Sequence, residues 1–209
     1  MENIKVVCLG DSITAGAGAT SIETRWTSLL AKRKEFSSVY NCGISGTRIA
    51  KRKGVSESHM YDLSFNMRVE ILPDDADYVI VFGGTNDYGH GVIPFGEKGD
   101  QTEYTYIGAI NCLIDKLIAK YGKQKLRFIL PLRRFEEDRP NRPTLKKWVD
   151  AQREILEERG IIYLDLYKNG FSKPTSNANE GYFADGLHLN DEGNKKIEEY
   201  IYEFLIKTK

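Results

Sequence analysis

The chain has 209 residues, of which 41% are hydrophobic and 29% are charged, an ordinary composition for one globular domain. Thirty basic residues balance thirty acidic ones, which argues against a broad basic surface for nucleic acid or an anionic membrane. No apolar run approaches the roughly 18 residues of a membrane-spanning helix, and no secretory leader precedes the first apolar run. The sequence therefore predicts a single domain over residues 1–209 and a cytoplasmic location, unless a leader has been removed.

Five apolar runs predict β-strands. They cover residues 4–9, 39–44, 78–83, 126–132 and 161–166. Most of these runs are continuous rather than alternating, which is typical of strands that are covered on both faces of a parallel sheet. Two of them contain Cys8 and Cys42, which, with Cys112, form no CxxC pair and are expected to be buried, reduced thiols.

Amphipathic segments between the strands predict helices. They cover residues 24–36, 104–121, 145–159 and 192–206, and Gly160 stands where a helix C-terminal cap is expected. Strands that alternate with helices predict a doubly wound α/β/α sandwich with a mainly parallel sheet.

Three irregular segments follow predicted strands, at residues 47–66, 88–101 and 133–143. Ligands bind at the carboxyl edge of such sheets, so each segment is a candidate wall of a binding site. His59 and His90, in the first two segments, are expected at the rim or in solvent, with substrate contact as the alternative. In the third segment, a solvated charged loop is predicted by Arg133, Arg134, Glu136 and Glu137; the alternative is that they line the acyl or alcohol pocket.

A serine and a histidine-carboxylate pair lie near the two ends of the chain. Ser12 follows the first predicted strand, and a serine hydroxyl needs a base before it can act as a nucleophile. Asp185 precedes His188 by three residues, which places both side chains on one face of a helical turn. Asp185 could then hold one ring nitrogen while the other faces Ser12. Taken singly, each motif also fits a helix cap or a turn.

Two further segments could stabilise negative charge. Asn86 follows the third strand in Gly83-Gly84-Thr85-Asn86-Asp87, where its amide could donate to an oxyanion; an ordinary turn fixed by Asp87 is the alternative. A glycine-containing segment at residues 41–47 could present a bare backbone N–H group. Ser12, the segment 41–47, Asn86 and the Asp185–His188 pair follow predicted strands one, two, three and five. All four should therefore meet at one edge of the sheet, where together they could supply the parts of one acyl transfer.

The sequence resembles the SGNH hydrolase superfamily, the GDSL esterases and lipases. The resemblance rests on four blocks in the family's order: GDSIT from Gly10, NCGISGT from Asn41, GTND from Gly84 and DGLH from Asp185. Ile13 replaces the leucine that gives the family its name. The resemblance implies one SGNH/GDSL domain with a three-layer, flavodoxin-like α/β/α fold and about five parallel strands.

The resemblance also implies the roles of individual residues. Ser12 would be the nucleophile, His188 the base and Asp185 the residue that orients His188. The oxyanion hole would use the backbone N–H groups of Ser12 and Gly46 and the side chain of Asn86. No metal or cofactor is implied.

The implied activity is that of a serine esterase acting on a small-molecule ester through an acyl-enzyme. The chain is too short for a lid domain and shows no interfacial lipid-binding helix, which favours a small acyl group such as acetyl on a soluble ester, for example an acetylated carbohydrate. A lysophospholipase, a thioesterase and a non-catalytic flavodoxin-like binding module remain alternatives. The sequence does not predict an oligomeric state.

Overall fold

Five parallel strands form one sheet in the computed structural model, which describes residues 3–209. The strands are β1 (Ile4–Gly10), β2 (Phe36–Gly43), β3 (Tyr78–Phe82), β4 (Leu126–Ile129) and β5 (Ile162–Leu164). Their spatial order is β2-β1-β3-β4-β5, and every neighbouring pair is parallel. Gly10, at the end of β1, pairs with Gly43 on one side and Phe82 on the other. Because these three strands end level with one another, the loops that follow them begin at the same edge.

Eight α-helices accompany the sheet in this part of the chain. They are α1 (Ser12–Ala15), α2 (Trp26–Leu30), α3 (Phe65–Arg68), α4 (Thr85–His90), α5 (Tyr106–Tyr121), α6 (Leu145–Glu158), α7 (Leu166–Asn169) and α8 (Asp191–Lys207). Short 3₁₀ helices cover His59–Asp62, Val69–Ile71 and Lys123–Lys125. Within residues 3–209, no helix is both long enough and apolar enough to cross a membrane.

Helices cover both faces of the sheet, because successive side chains of β1 pack alternately into two different cores. Val7 and Leu9 pack into one core, with residues of α3, α5 and α6. Val6 and Cys8 pack into the other core, with residues of α2 and α8. Successive strand side chains point to opposite faces, so a strand buried on both faces must be apolar throughout. The predicted three-layer α/β/α sandwich with five parallel strands is confirmed.

Most predicted elements shift by one to three residues at their ends, and the fifth strand, expected over residues 161–166, covers only Ile162–Leu164. Two differences have a clear physical reason. The helix expected over residues 24–36 stops at Leu30, and Phe36 instead begins β2, where its buried side chain packs into the core shared with α8. The fourth strand was expected to reach residue 132 but ends at Ile129. Pro131 lacks a backbone N–H group, so it cannot donate to a strand ladder and the strand ends just before it.

Two segments that were expected to be polar loops contribute to the interior. Ile49 and Phe65, in the segment 47–66, are fully buried in the core beneath α5. In the segment 133–143, Arg134 and Glu137 are buried, so the expectation of a solvated charged loop is wrong for these two residues. The three cysteines are free, but only Cys8 is fully buried.

Candidate active site

Ser12 lies at the tip of β1, where the chain turns sharply into α1. Asp11 caps this short helix, and its Oδ1 accepts the backbone N–H of Ile13 at 3.0 Å. A Cβ atom at Gly10 would lie 2.0 Å from Oγ1 of Thr14, so the turn requires glycine there. The sequence thus holds the Ser12 hydroxyl at the carboxyl edge of the sheet, with 5% of the residue's surface exposed.

Ser12, His188 and Asp185 form a continuous chain of hydrogen bonds. His188 Nε2 lies 2.9 Å from Ser12 Oγ, and His188 Nδ1 lies 2.7 Å from Asp185 Oδ2. An ionised carboxylate can only accept, so Nδ1 carries the ring proton and Nε2 is left to accept the proton of the serine hydroxyl. The structure therefore brings together the three residues that the sequence proposed as nucleophile, base and orienting carboxylate.

The backbone between Asp185 and His188 is a turn and not the helical turn that the spacing suggested. Asp185 Oδ1 accepts the backbone N–H groups of Leu187 at 3.1 Å and His188 at 2.7 Å. Gly186 has a φ of 73°, and a Cβ there would lie 2.5 Å from the carbonyl oxygen of Ser176. The carboxylate thus folds the chain back on itself and places the imidazole within reach of its own second oxygen.

The Asp185 carboxyl stays ionised in this setting. Partial burial raises its pKa, but hydrogen bonds from the ring and the backbone of His188, with the attraction of the imidazole, lower the pKa by more. The net pKa lies below the ordinary value of 3.8, so Asp185 carries its negative charge at neutral pH and can stabilise an imidazolium.

Three proposed oxyanion donors follow β1, β2 and β3. Asn86 lies in the first turn of α4, and its Nδ2 donates to the carbonyl oxygen of Thr47 at 3.0 Å. Gly46 has a φ of 75°, and a Cβ there would lie 2.1 Å from the ring of Tyr61. Among the hydrogen bonds of residues 3–209, none uses the backbone N–H of Ser12 or Gly46. Both groups are therefore available to a ligand at the sheet edge.

Asp87, next to Asn86, joins α4 to the loop after β2. Its two carboxylate oxygens accept the backbone N–H groups of Ile49 at 3.0 Å and Ala50 at 2.9 Å. The side chain is fully buried, and burial raises its pKa to about 6 despite those hydrogen bonds. These contacts agree with the expectation that Asp87 fixes the loop.

Sequence reasoning missed the contacts by which the segment 133–143 holds α4. Three arginines of this segment donate to backbone carbonyls of the helix. The bonds run from Arg134 to Thr85 (3.3 Å), from Arg142 to Tyr88 (2.7 Å) and from Arg139 to Gly89 (2.6 Å). For Tyr88 and Gly89, in the last turn of α4, cations that follow a strand and can reach a helix C-terminus were the available signal, because such carbonyls lack partners within their helix.

The same segment also contacts the turn that carries His188. The backbone N–H of Phe135 donates to the carbonyl of Gly186 at 2.9 Å. Glu137, which is buried, accepts two bonds from the guanidinium of Arg133 and one from the backbone of Arg134. The segment 133–143 is thus stabilised by its own hydrogen bonds. It contacts both α4, which carries Asn86, and the turn that carries His188.

The remaining histidines lie away from the hydrogen-bond chain. His59 and His90 are both exposed, as expected for rim positions. His90 ends α4, and its Nδ1 lies 3.0 Å from Nη1 of Arg48.

Comparison with known proteins matches most of the chain to one family. The model of the GDSL-like Lipase/Acylhydrolase family matches residues 8–196. No curated protein sequence matches the chain.

Solved structures share the fold over nearly the whole chain. A protein from Lactobacillus plantarum is 28% identical, with a TM-score of 0.84, and the match covers 99% of this chain and 98% of that one. A member of the lipolytic protein G-D-S-L family from Veillonella parvula is 17% identical, with a TM-score of 0.68, covering 96% and 97% of the two chains. The second similarity concerns the fold alone.

Proposed function

Because the chain belongs to the GDSL-like lipase/acylhydrolase family and is an acylhydrolase of the esterase/lipase type, we propose that Ser12, His188 and Asp185 are its catalytic triad. The observation that carries this proposal is the unbroken path from Ser12 Oγ through the imidazole to Asp185 Oδ2, with distances of 2.9 Å and 2.7 Å. A base within hydrogen-bond reach of the nucleophile, and itself held by a third group, is the arrangement that acyl transfer requires.

In the first half of the proposed reaction, Ser12 Oγ attacks the ester carbonyl carbon while its proton passes to His188 Nε2. The imidazolium that forms is stabilised by the ionised Asp185. Collapse of the tetrahedral intermediate breaks the bond to the alcohol oxygen, which takes the proton back from His188, and leaves the acyl group on Ser12. In the second half, a water molecule gives a proton to His188 and attacks the acyl-enzyme. The carboxylic acid then leaves as the proton returns to Ser12.

The oxyanion of each tetrahedral intermediate would lie among the backbone N–H groups of Ser12 and Gly46 and the side chain of Asn86. An amide nitrogen has two N–H groups, and Asn86 gives one of them to Thr47. That bond holds the amide in place before the substrate arrives, and such preorganised donors stabilise charge as it develops.

For the substrate we propose a soluble ester with a small acyl group, such as an acetylated carbohydrate. Two observations support a small group. Ser12 is only 5% exposed, and the ring of Tyr61 packs directly on Gly46, one of the proposed oxyanion donors. Close packing around the nucleophile and around this donor favours a small acyl group.

The test is hydrolysis of p-nitrophenyl acetate by the wild type and by Ser12→Ala. We expect the variant to fold normally, by circular dichroism, and to lose hydrolysis and labelling by a fluorophosphonate probe. Ser37→Ala, at the opposite end of β2, serves as the matched control and should keep both. Unchanged turnover in Ser12→Ala would exclude the mechanism.

A panel of acyl chain lengths tests the substrate proposal separately. We expect kcat/KM to fall from p-nitrophenyl acetate to butyrate and octanoate, and acetate to be released from acetylated sugars. A preference for octanoate, or for a lysophospholipid or thioester, would replace the substrate assignment and leave the triad in place.

A further inference from the structure

A cavity of about 640 Å³ opens beside the proposed oxyanion hole and has no role in the mechanism so far. The ring of Tyr61 lies in its wall and also packs against Gly46. His90 lies in the wall as well, one helical turn after Asn86 on α4. The cavity wall is therefore connected to two of the three groups that would hold the oxyanion, to Gly46 through Tyr61 and to Asn86 through α4.

Arg48 builds the wall of this cavity. The residue is 2% exposed, and its guanidinium bonds to Ser56 Oγ at 3.1 Å and to the carbonyl oxygen of Tyr61 at 3.0 Å. Asp62 lies 3.5 Å from the same group and offsets its charge. Arg48 is thus already paired with protein, and its position is fixed.

The contact with Arg48 decides which nitrogen of His90 carries the proton. A guanidinium has donors and no acceptor, so His90 Nδ1, at 3.0 Å, must accept. The ring proton then lies on Nε2, which has no hydrogen-bond partner among the described residues. Although His90 is exposed overall, partial desolvation of its ring and the positive charge of Arg48 lower its pKa, which favours the neutral ring in this tautomer. His90 therefore presents an N–H donor at the wall.

Arg52 supplies a cation that the protein leaves uncommitted. It lines the cavity, and in residues 3–209 it makes no hydrogen bond or ion pair. Among the described residues, Glu57 is the one carboxylate in the lining, and Asp62 offsets the charge of Arg48. In this part of the chain the wall still offers two unpaired donor groups, the guanidinium of Arg52 and the Nε2–H of His90, and a planar guanidinium is well suited to a carboxylate or a phosphate.

We propose that this cavity binds an anionic group of the substrate, a carboxylate or a phosphate, through Arg52 and the Nε2–H of His90. The inference rests on the proposed esterase function, since it places the anion on the molecule whose carbonyl reaches Ser12. A sugar acid or a sugar phosphate carrying an acetyl ester has this chemistry.

Two matched substrate pairs test the proposal and locate the anion. In the first pair the anion is in the alcohol: acetate release is compared for tetra-O-acetylglucuronic acid and its primary amide. In the second pair the anion is in the acyl group: 4-nitrophenol release is compared for mono-4-nitrophenyl adipate and 4-nitrophenyl hexanoate. We expect kcat/KM for the charged member of one pair to exceed that for the neutral member by about tenfold, and 0.5 M NaCl to reduce this ratio.

Variants then connect the preference to the cavity. Arg52→Gln should lower the charged-to-neutral ratio about fivefold, the size expected for one partly exposed charge contact, and Arg52→Lys should restore part of it. Arg159→Gln, which removes an arginine at the end of α6, is the control and should leave the ratio unchanged.

Each outcome bears on the proposal separately from the triad. A ratio near one in both pairs, or a ratio that Arg52→Gln does not change, overturns the anion site even when Ser12→Ala abolishes all turnover. A preference for the charged member in the adipate pair alone supports the anion site and places the anion in the acyl group. The proposed acetyl group would then be replaced by an acyl group that carries a carboxylate. Loss of all turnover in Ser12→Ala supports the triad. The charged-to-neutral ratio is measured on the wild type and the Arg52 variants, so it tests the anion site separately.

Discussion

Asn86 and Thr47 are joined by a hydrogen bond of 3.0 Å from the side-chain amide to the backbone carbonyl. The bond connects the first turn of α4 to the loop after β2. It fixes one N–H of the amide and leaves the other for a ligand, because an amide nitrogen carries two. Asp87 strengthens the same connection through the backbone of Ile49 and Ala50.

Removal of this donor should slow the chemical step. We expect Asn86→Ala to lower kcat by about 10²- to 10³-fold with a small change in KM, because the amide acts mainly on the charge of the transition state. Steady-state kinetics on p-nitrophenyl acetate measure the effect, and a urea unfolding curve tests whether the fold survives. An increase in KM alone would show that Asn86 binds substrate without stabilising the oxyanion.

Asp185→Asn should test how the carboxylate orients the base. The substitution keeps an oxygen that can accept the backbone N–H groups of Leu187 and His188, but it can place an N–H opposite His188 Nδ1. The imidazole would then carry its proton on Nε2 and could not accept from Ser12. We expect kcat to fall by about 10³- to 10⁴-fold. A variant that keeps most of its turnover would assign Asp185 to the turn alone.

Gly46→Ala should destabilise the fold. The backbone φ of 75° is costly for any residue with a Cβ, and that atom would lie 2.1 Å from the Tyr61 ring. We expect a loss of about 1–2 kcal/mol in the free energy of unfolding from the backbone, with a further loss from the clash. The double variant Gly46→Ala/Tyr61→Ala separates the two causes, since it removes the clash only. If the double variant is no more stable than the sum of its single variants predicts, the ring contact is unimportant.

The stability of the protein should depend on pH through Asp87. Burial raises its pKa from 3.8 to about 6, so the folded protein binds more protons than the unfolded chain between these values. The free energy of unfolding therefore falls as pH rises through this window, by up to about 1.4 kcal/mol per pH unit for one group. Asp11, whose pKa burial also raises to about 6, acts with the same sign.

Asp87→Asn isolates the contribution of one carboxyl. The asparagine does not titrate, so urea unfolding at pH 4.5, 5.5 and 6.5 should give a shallower decline than in the wild type. The variant is expected to be less stable at every pH if it loses one backbone bond, but the slope is the relevant quantity. Parallel slopes would mean that Asp87 titrates at its ordinary pKa.

The sequence predicts the sheet and the meeting of Ser12, Asp185 and His188 because both depend on local pattern. Continuous apolar runs identify strands buried on both faces, and parallel strands bring the residues that follow them to one edge. The helix predicted over residues 24–36 was too long because Phe36 is apolar and fits both a helix face and the start of a strand.

Contacts made by charged side chains could not be predicted in this way. Arg134 and Glu137 have the composition of a solvated loop, yet both are buried, because carbonyls of α4 and the guanidinium of Arg133 satisfy them. These partners lie about 50 residues away in the chain or across a turn, so hydrophobic periodicity cannot predict them. The cavity beside Tyr61 is likewise formed by residues that are distant in the chain.

The segment 133–143 connects two parts of the candidate site. Its arginines hold α4, which carries Asn86, and the backbone of Phe135 holds Gly186 in the turn that carries His188. Asn86 and His188, the proposed oxyanion donor and the proposed base, lie about 100 residues apart in the chain, yet the elements that carry them contact the same segment of eleven residues. A change in residues 133–143 can therefore displace the proposed oxyanion donor and the proposed base together, although no residue of the segment belongs to the proposed triad.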